Sequence, residues 1–307
     1  MNETKPVRTE GTSLPRAGHD EGQMRGRVLV TGANGQLGRA LMTLLPQAGF
    51  EPTGVDLPEV DISDAAAMSS WDWTGYDVII NAAAWTNVDG AETPEGRRLS
   101  WRANTVGPVN LARAAVQHGL TLVHLSTEYT FDGVTAVHTE EETPSPLGVY
   151  GQSKAAGDAA VSVCPRHYLV RTSWVVGDGK NFVKSMLQLA KTNKILSIVN
   201  DQIGSPTYTR DLAPLLADIL ESEKYGIYHA TNEGFCSWAQ FAREIFRQAG
   251  VAVNVTNVPS HMYPTKATRP KNSRLSKKSL DDAGFHRLPP WEDAVGRFLK
   301  ELKQAGE

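Results

Sequence analysis

The chain has 307 residues, 40% of them hydrophobic, with 31 basic against 34 acidic side chains and a formal net charge of −3. That is enough apolar material for one large core or two joined smaller ones, and no basic block points to nucleic acid as a partner. No run of 18 apolar residues exists, which excludes a spanning helix, and two distant cysteines without Cys-x-x-Cys spacing argue against a disulfide framework or a zinc site. Cys164 and Cys236 read instead as buried packing residues in a reducing compartment, so the cytoplasm is expected.

Residues 1–24 are polar, carry Pro and Gly, and lack the apolar stretch of a signal peptide; a disordered leader is expected there, with Met24 a candidate start. Arg27-Val28-Leu29-Val30 is a short apolar run, and Leu37, Leu41, Leu44 and Leu45 recur at helical spacing over 36–48. Residues 49–56 read as a second strand ending on Asp56, and 76–81 as a later buried strand, taken as the fourth. A helix over 97–118, a strand over 120–126, a helix over 150–160 and a strand over 167–171 continue the pattern. Such alternation implies right-handed crossovers and a parallel sheet covered on both faces. The expected fold class is α/β, a Rossmann-type doubly wound parallel sheet with a smaller C-terminal region. Beyond residue 174 the rhythm loosens, with helices over 210–220 and 237–249 and a basic stretch over 268–278.

Gly32, Gly35 and Gly38 form G-x-x-G-x-x-G between the first strand and its helix. Small residues there permit a tight turn and let the backbone approach a pyrophosphate at the positive end of the helix. Alone, such a motif is often a plain turn; the flanking strand and helix supply the context for dinucleotide binding. Asp56 stands where a carboxylate can accept from adenosine ribose hydroxyls, its alternative being a solvated strand-end acid. Such an acid leans toward NADH and Arg39 offsets it, so NADPH and NADH both stay open. Asn81-Ala82-Ala83-Ala84 ends a strand with small residues suited to close passage of a cofactor. Ser126-Thr127-Glu128-Tyr129 lies at a carboxyl strand end, the edge where open α/β sheets bind ligands. Tyr150 and Lys154, four apart, share one helix face. The tyrosine would give a proton to a developing alkoxide, the lysine would hold the nicotinamide ribose and lower the tyrosine pKa, and Thr127 would polarise a carbonyl. The expected division is therefore an NAD(P)-binding domain over 25–173 and a mainly substrate-binding one over 174–307, some of whose segments return to the main sheet.

These residues resemble the extended short-chain dehydrogenase/reductase superfamily and, within it, the dTDP-4-dehydrorhamnose reductase family. The likeness rests on Gly35-Gln36-Leu37-Gly38, Asn81 to Asp89, Ser126 to Gly133, Tyr150-Gly151-Gln152-Ser153-Lys154, Arg171-Thr172-Ser173-Trp174, Asp201 to Thr207 and Arg269 to Leu275, spread over about residues 27–300. It implies NAD(P)H-dependent reduction at C4 of dTDP-4-dehydro-β-L-rhamnose to dTDP-β-L-rhamnose, a step in making surface polysaccharide. It also implies a catalytic trio of Thr127, Tyr150 and Lys154. Cofactor contacts are implied for Gly32, Asn34, Gly35, Gln36, Leu37, Gly38, Asp56, Asp61, Ile62, Ala82, Ala83, Ala84 and Asn104, as well as Tyr150 and Lys154. Thr86, Val88, Glu128, Tyr129 and Trp174 fall on the sugar side, and Arg269 and Asn272 on the nucleotide diphosphate side. Two departures stand out. Glu128 replaces the family's usual Asp, and Ala40 stands where some members place a magnesium-binding acid at a dimer contact. No metal is expected, and the chain is expected to be a monomer or weak homodimer. Two other readings compete. One is a nucleotide-sugar dehydratase or epimerase, although Tyr129 stands where dehydratases place a second acid. The other is a non-catalytic NADP-binding partner of a methionine adenosyltransferase, against which the intact trio argues.

Overall fold

The computed structural model describes residues 25–306; the expected leader lies outside them. Strands β1 (Arg27–Thr31), β2 (Glu51–Val55), β3 (Val78–Asn81), β4 (Thr121–Thr127) and β5 (His167–Thr172) alternate with helices α1 (Gln36–Leu44), α2 (Ala65–Ser70), α3 (Val88–Ala91), α4 (Pro94–Trp101), α5 (Gly107–His118) and α6 (Val149–Val161). With strand Gly226–His229 on the far edge, these strands form one six-stranded sheet in the order β2, β1, β3, β4, β5, Gly226–His229, every pairing parallel. Val78–Asn81 is thus the third strand, not the fourth, because residues 57–64 form turns around Pro58 and no strand. This is the α/β doubly wound sheet that the alternation implied.

The central strands are apolar on both faces because helices cover both. On β1, Val28 and Val30 pack with Leu41 of α1 and Leu212 and Leu216 of helix Thr209–Leu220. Leu29, with opposite pleat, packs with Ile79, Leu111 and Ala115 on the α5 side. A separate cluster joins helices Phe182–Ala190, Trp238–Ala249 and Trp291–Gln304 through Val183, Phe241, Ile245 and Phe298. Helix Trp238–Ala249 starts on a capping box, Ser237 and Gln240 satisfying each other's backbone N–H groups.

Strand order fixes the ligand crevice. Consecutive strands β2 and β3 flank β1 on opposite sides, so the chain leaves the ends of β1 and β3 in opposite directions and opens a gap at their carboxyl edge. The glycine turn follows β1 and the Ala82-Ala83-Ala84 segment follows β3. Both therefore face that gap.

Candidate active site

Gly32 turns the chain at φ 72, and a Cβ on it would stand 2.5 Å from the Ala83 backbone nitrogen. On Gly38 a Cβ would stand 2.2 Å from the Gly32 carbonyl oxygen. Absent side chains thus let the start of α1 close onto the end of β1. Gly35, the N-cap, carries no side-chain cap, and the first turn of α1 has no acidic residue. Its leading N–H groups lack a side-chain acceptor at the positive helix end, a cradle for a pyrophosphate. Asp56 accepts the Asn34 N–H at 2.9 Å, and Arg39 Nε donates to the Asn34 carbonyl at 2.9 Å, so both backbone groups of Asn34 are held. Gln36 accepts from Asn181 at 3.3 Å, and Leu37 is buried behind it. Ala82 and Ala83 are half-buried and Ala84 is exposed.

Asp61, Ile62 and Asn104, also expected at the cofactor, are engaged with protein. Asp61 pairs with Arg102 at 3.1 Å. Ile62 is buried against Gly107, its carbonyl accepting from Asn110 at 2.9 Å. Asn104, buried in a π-helical turn over Arg102–Val106, accepts the Trp85 N–H at 2.8 Å and donates to the Trp85 carbonyl at 3.1 Å and Ser153 Oγ at 3.0 Å. Its amide ties the loop after β3 to α6 rather than facing the crevice.

Thr127 ends β4, and Glu128 follows it into a single 3₁₀ turn over Glu128–Thr130. Tyr150 lies in the first turn of α6 and Lys154 one turn later. Thr127 Oγ1 donates to Glu128 Oε2 at 2.8 Å, and the Thr127 hydroxyl acts on the neighbouring Tyr150 phenol, partly opposing the rise in its pKa. The Tyr129 and Tyr150 rings meet edge-on with centroids 5.5 Å apart. Thr127, Glu128, Tyr129 and Tyr150 thus meet, with Lys154 one turn further along α6. Burial pushes the Glu128 carboxyl up to about 7, the Thr127 bond opposing. Burial also moves Lys154 down to about 8, with Asp158 opposing. Tyr150 is raised by burial and then by the Glu128 charge, opposite to the expected lowering by Lys154. The reason is geometric: Lys154 Nζ is drawn back to the Leu125 carbonyl at 2.6 Å and lies 3.4 Å from His124 Nε2. A phenol kept protonated at neutral pH is poised to donate.

On the open side, Arg269 forms a two-point pair with Asp89, at 2.7 and 3.2 Å, and is hydrogen-bonded to Tyr129. That brings Arg269 to the pocket rim. Asn272 goes elsewhere: its amide donates to the Thr135 and Ala136 carbonyls while its oxygen accepts from Arg274. Trp174 sits at φ 46, a left-handed conformation rare for a bulky residue. It stacks on Trp238 with centroids 3.6 Å apart, over Gly204, where a Cβ would stand 2.7 Å from the ring. Thr86 is exposed and Val88 half-buried at the start of α3. Sequence reasoning passed over His124, Asp158, Asp89 and Trp238. Asp158 was visible as the third member of the 150, 154, 158 spacing, and His124 as a lone imidazole within an apolar strand. Among the described residues, no cluster of three or more His, Cys, Asp or Glu could hold a metal ion, and no helix is long and apolar enough to cross a membrane.

The parallel sheet, the glycine turn at its strand-order reversal and the Tyr150/Lys154 pair define an extended short-chain dehydrogenase/reductase fold. Residues 25–304 match the family model described as the RmlD substrate binding domain, and the chain belongs to that family. It is 42% identical over 298 residues to a dTDP-4-dehydrorhamnose reductase of Aggregatibacter actinomycetemcomitans, covering 92% of this chain and 99% of that one. It is 37% identical to the spore coat polysaccharide biosynthesis protein SpsK of Bacillus subtilis over 91% of this chain and 99% of that one. Among solved structures, a dTDP-4-dehydrorhamnose reductase of Bacillus anthracis in complex with NADP superposes with a TM-score of 0.87 at 38% identity, covering 91% of this chain and 100% of that one.

Proposed function

We propose that this chain reduces the C4 carbonyl of dTDP-4-dehydro-β-L-rhamnose to give dTDP-β-L-rhamnose, using NADPH or NADH. The observation that carries the reading is that Thr127, Glu128 and Tyr150 meet at the carboxyl edge of β4, with Lys154 one turn further along α6. Relatives named for this reaction, and a solved relative that holds NADP, support it.

The glycine turn fits a dinucleotide, since Gly32 and Gly38, where a Cβ would strike neighbouring backbone, let the turn close tightly and the leading N–H groups of α1 lack a side-chain cap. Bound there, the reduced dinucleotide supplies the hydride. Tyr150 donates its proton to the carbonyl oxygen as negative charge grows on it, and the Thr127 hydroxyl, turning its single proton away from Glu128, donates to the same oxygen. Lys154 supplies a cation beside them and a donor for the nicotinamide ribose. Glu128 hydrogen-bonds a sugar hydroxyl, its extra methylene relative to Asp bringing its carboxyl back onto Thr127. Thr86, Val88, Tyr129 and Trp174 line the deoxysugar, whose 6-methyl group suits an apolar and aromatic wall. Arg269, held by Asp89 at the rim, directs its charge to the diphosphate. Residues 25–173 then serve mainly the cofactor and 174–306 mainly the substrate.

Loss of reduced-nicotinamide absorbance upon adding the 4-keto sugar nucleotide tests the reading directly. No loss with that substrate, in protein shown to bind NADPH or NADH, would overturn it. Competing 4-keto sugar nucleotides in the same assay establish which stereochemistry the pocket accepts.

A further inference from the structure

Tyr150, Lys154 and Asp158 are spaced by four along α6 and share a face. Beneath that face lie His124 of β4 and Arg171 of β5, both buried. The imidazole's protonation follows from its neighbours. Asn81 Oδ1 accepts the Ala83 backbone N–H at 3.2 Å and the Thr31 hydroxyl at 2.8 Å. A backbone N–H can only donate, so Asn81 Nδ2 is the amide donor, and it lies 2.9 Å from His124 Nδ1. His124 Nδ1 must therefore accept, which makes the ring neutral with its proton on Nε2. Burial and the nearby Lys154 charge favour the same neutral form.

The Nε2–H stands 3.4 Å from Lys154 Nζ and 3.7 Å from Asp158 Oδ1. Two donors cannot bond each other, so when Lys154 is an ammonium it belongs to the Leu125 carbonyl, and the imidazole N–H faces Asp158 Oδ1 at a separation longer than a hydrogen bond, an oxygen that no hydrogen-bond donor among the described residues reaches. Asp158 Oδ2 accepts from Arg171 Nε at 3.2 Å, and Arg171 Nη1 lies 3.4 Å from His229 Nε2. The charged and titratable groups around the lysine are thus Tyr150 and Asp158 on α6, His124 on β4, Glu128 just after it, and Arg171 on β5 with His229 behind.

We propose that Asp158 and His124 are positioning residues for Lys154: the carboxylate, held by Arg171, supplies the charge that keeps the lysine an ammonium one turn from Tyr150, and the imidazole, locked as its neutral Nε2–H tautomer through Asn81, adds no further cation beneath it. This rests on Lys154 belonging to the catalytic trio. Removing the Asp158 charge takes away the anion that Arg171 and Lys154 share, and Arg171 cannot shed its proton, so Lys154 does.

In full-length Asp158→Asn, the alkaline limb of kcat should move down by about one pH unit, and the Lys154 Nζ titration followed by nitrogen NMR should move with it. Asp158→Glu should restore both. In the unaltered protein, the His124 ring nitrogens should report Nε2–H with Nδ1 bare from about pH 5 to 9. An unmoved Lys154 titration in folded Asp158→Asn, or an Nδ1–H or charged His124 in the unaltered protein, overturns the proposal. The tautomer measurement needs no variant, so it decides even where Asp158→Asn does not fold. Both NMR readouts are independent of turnover, so a failed reductase assay leaves them standing.

Discussion

The glycine turn and the β4–α6 pocket are neighbouring walls of one crevice, yet they are built by opposite means. The turn works through what is missing: absent Cβ atoms at Gly32 and Gly38 and an uncapped helix start leave backbone dipoles as the contact surface. The pocket works through what is buried, since desolvation is the first cause that pushes Glu128 and Asp158 up and Lys154 and His124 down from their ordinary values. Geometry governs the first and dielectric the second. Changes in the turn should therefore act on binding with little pH dependence, and changes in the pocket on turnover with strong pH dependence.

The largest expected effect separates the two cleanly. Tyr150→Phe should lower turnover by roughly 10² to 10⁴, the range for one general acid, with NADPH and NADH dissociation constants unchanged in fluorescence titration. A matching loss of cofactor affinity would merge the two walls into one functional unit. Next comes Gly38→Ala, whose methyl carbon would stand 2.2 Å from a backbone oxygen that has nowhere to go. Overpacking of this kind costs about 1–3 kcal/mol. It should lower the melting temperature by several degrees and weaken cofactor binding on the order of tenfold to a hundredfold, equally at pH 6 and pH 9. An unaffected cofactor affinity would remove the turn from the binding site.

The turn was readable in the sequence because its function needs specific absences at fixed spacing, and glycine between a strand and a helix is a local signal. Tyr150 and Lys154 were readable for a related reason, being one helical turn apart. The pocket's electrostatics were not. Placing His124 beneath Lys154 requires the parallel pairing of β3 with β4, and fixing its tautomer requires Asn81 and the Ala83 N–H to arrive from β3. The sequence suggested that Lys154 lowers Tyr150, as a nearby cation does; only three dimensions show the lysine turned toward Leu125 and Glu128 enclosed beside the phenol. The surroundings of Asn272 were hidden for a similar reason, since its recognisable motif says nothing of the loop at Thr135 that holds its amide.

Glu128 gives the pH dependence its sign. Folded, the carboxyl keeps its proton up to about 7, whereas unfolded it releases it near its ordinary value of 4.5. The native state binds the extra proton across that window, so this contribution to stability is complete below about pH 4.5 and is lost as pH rises to about 7. The loss is on the order of 3 kcal/mol. In urea unfolding, Glu128→Gln should match the parent near pH 5 and exceed its stability at pH 8. Its turnover should also lose any inflection near neutrality. Equal stability at both pH values would mean that the Glu128 carboxyl is hydrated, and that desolvation does not govern this wall.

The smallest effect tests the seam between the turn and the C-terminal region. Arg39 braces the Asn34 carbonyl and reaches Asp178 at 2.8 Å, through side chains that are 51% and 61% exposed. An ion pair this open to solvent is worth about 0.2–1 kcal/mol and is screened by salt. Arg39→Ala should therefore weaken cofactor binding only a few-fold at low ionic strength, and part of that loss should vanish in high salt. The part that salt does not remove is the lost brace on Asn34. Turnover at saturating cofactor and the pH profile should not move, because no buried group of the pocket depends on Arg39. A shifted alkaline limb would show that charge at the turn is felt by Lys154, making the crevice one electrostatic unit.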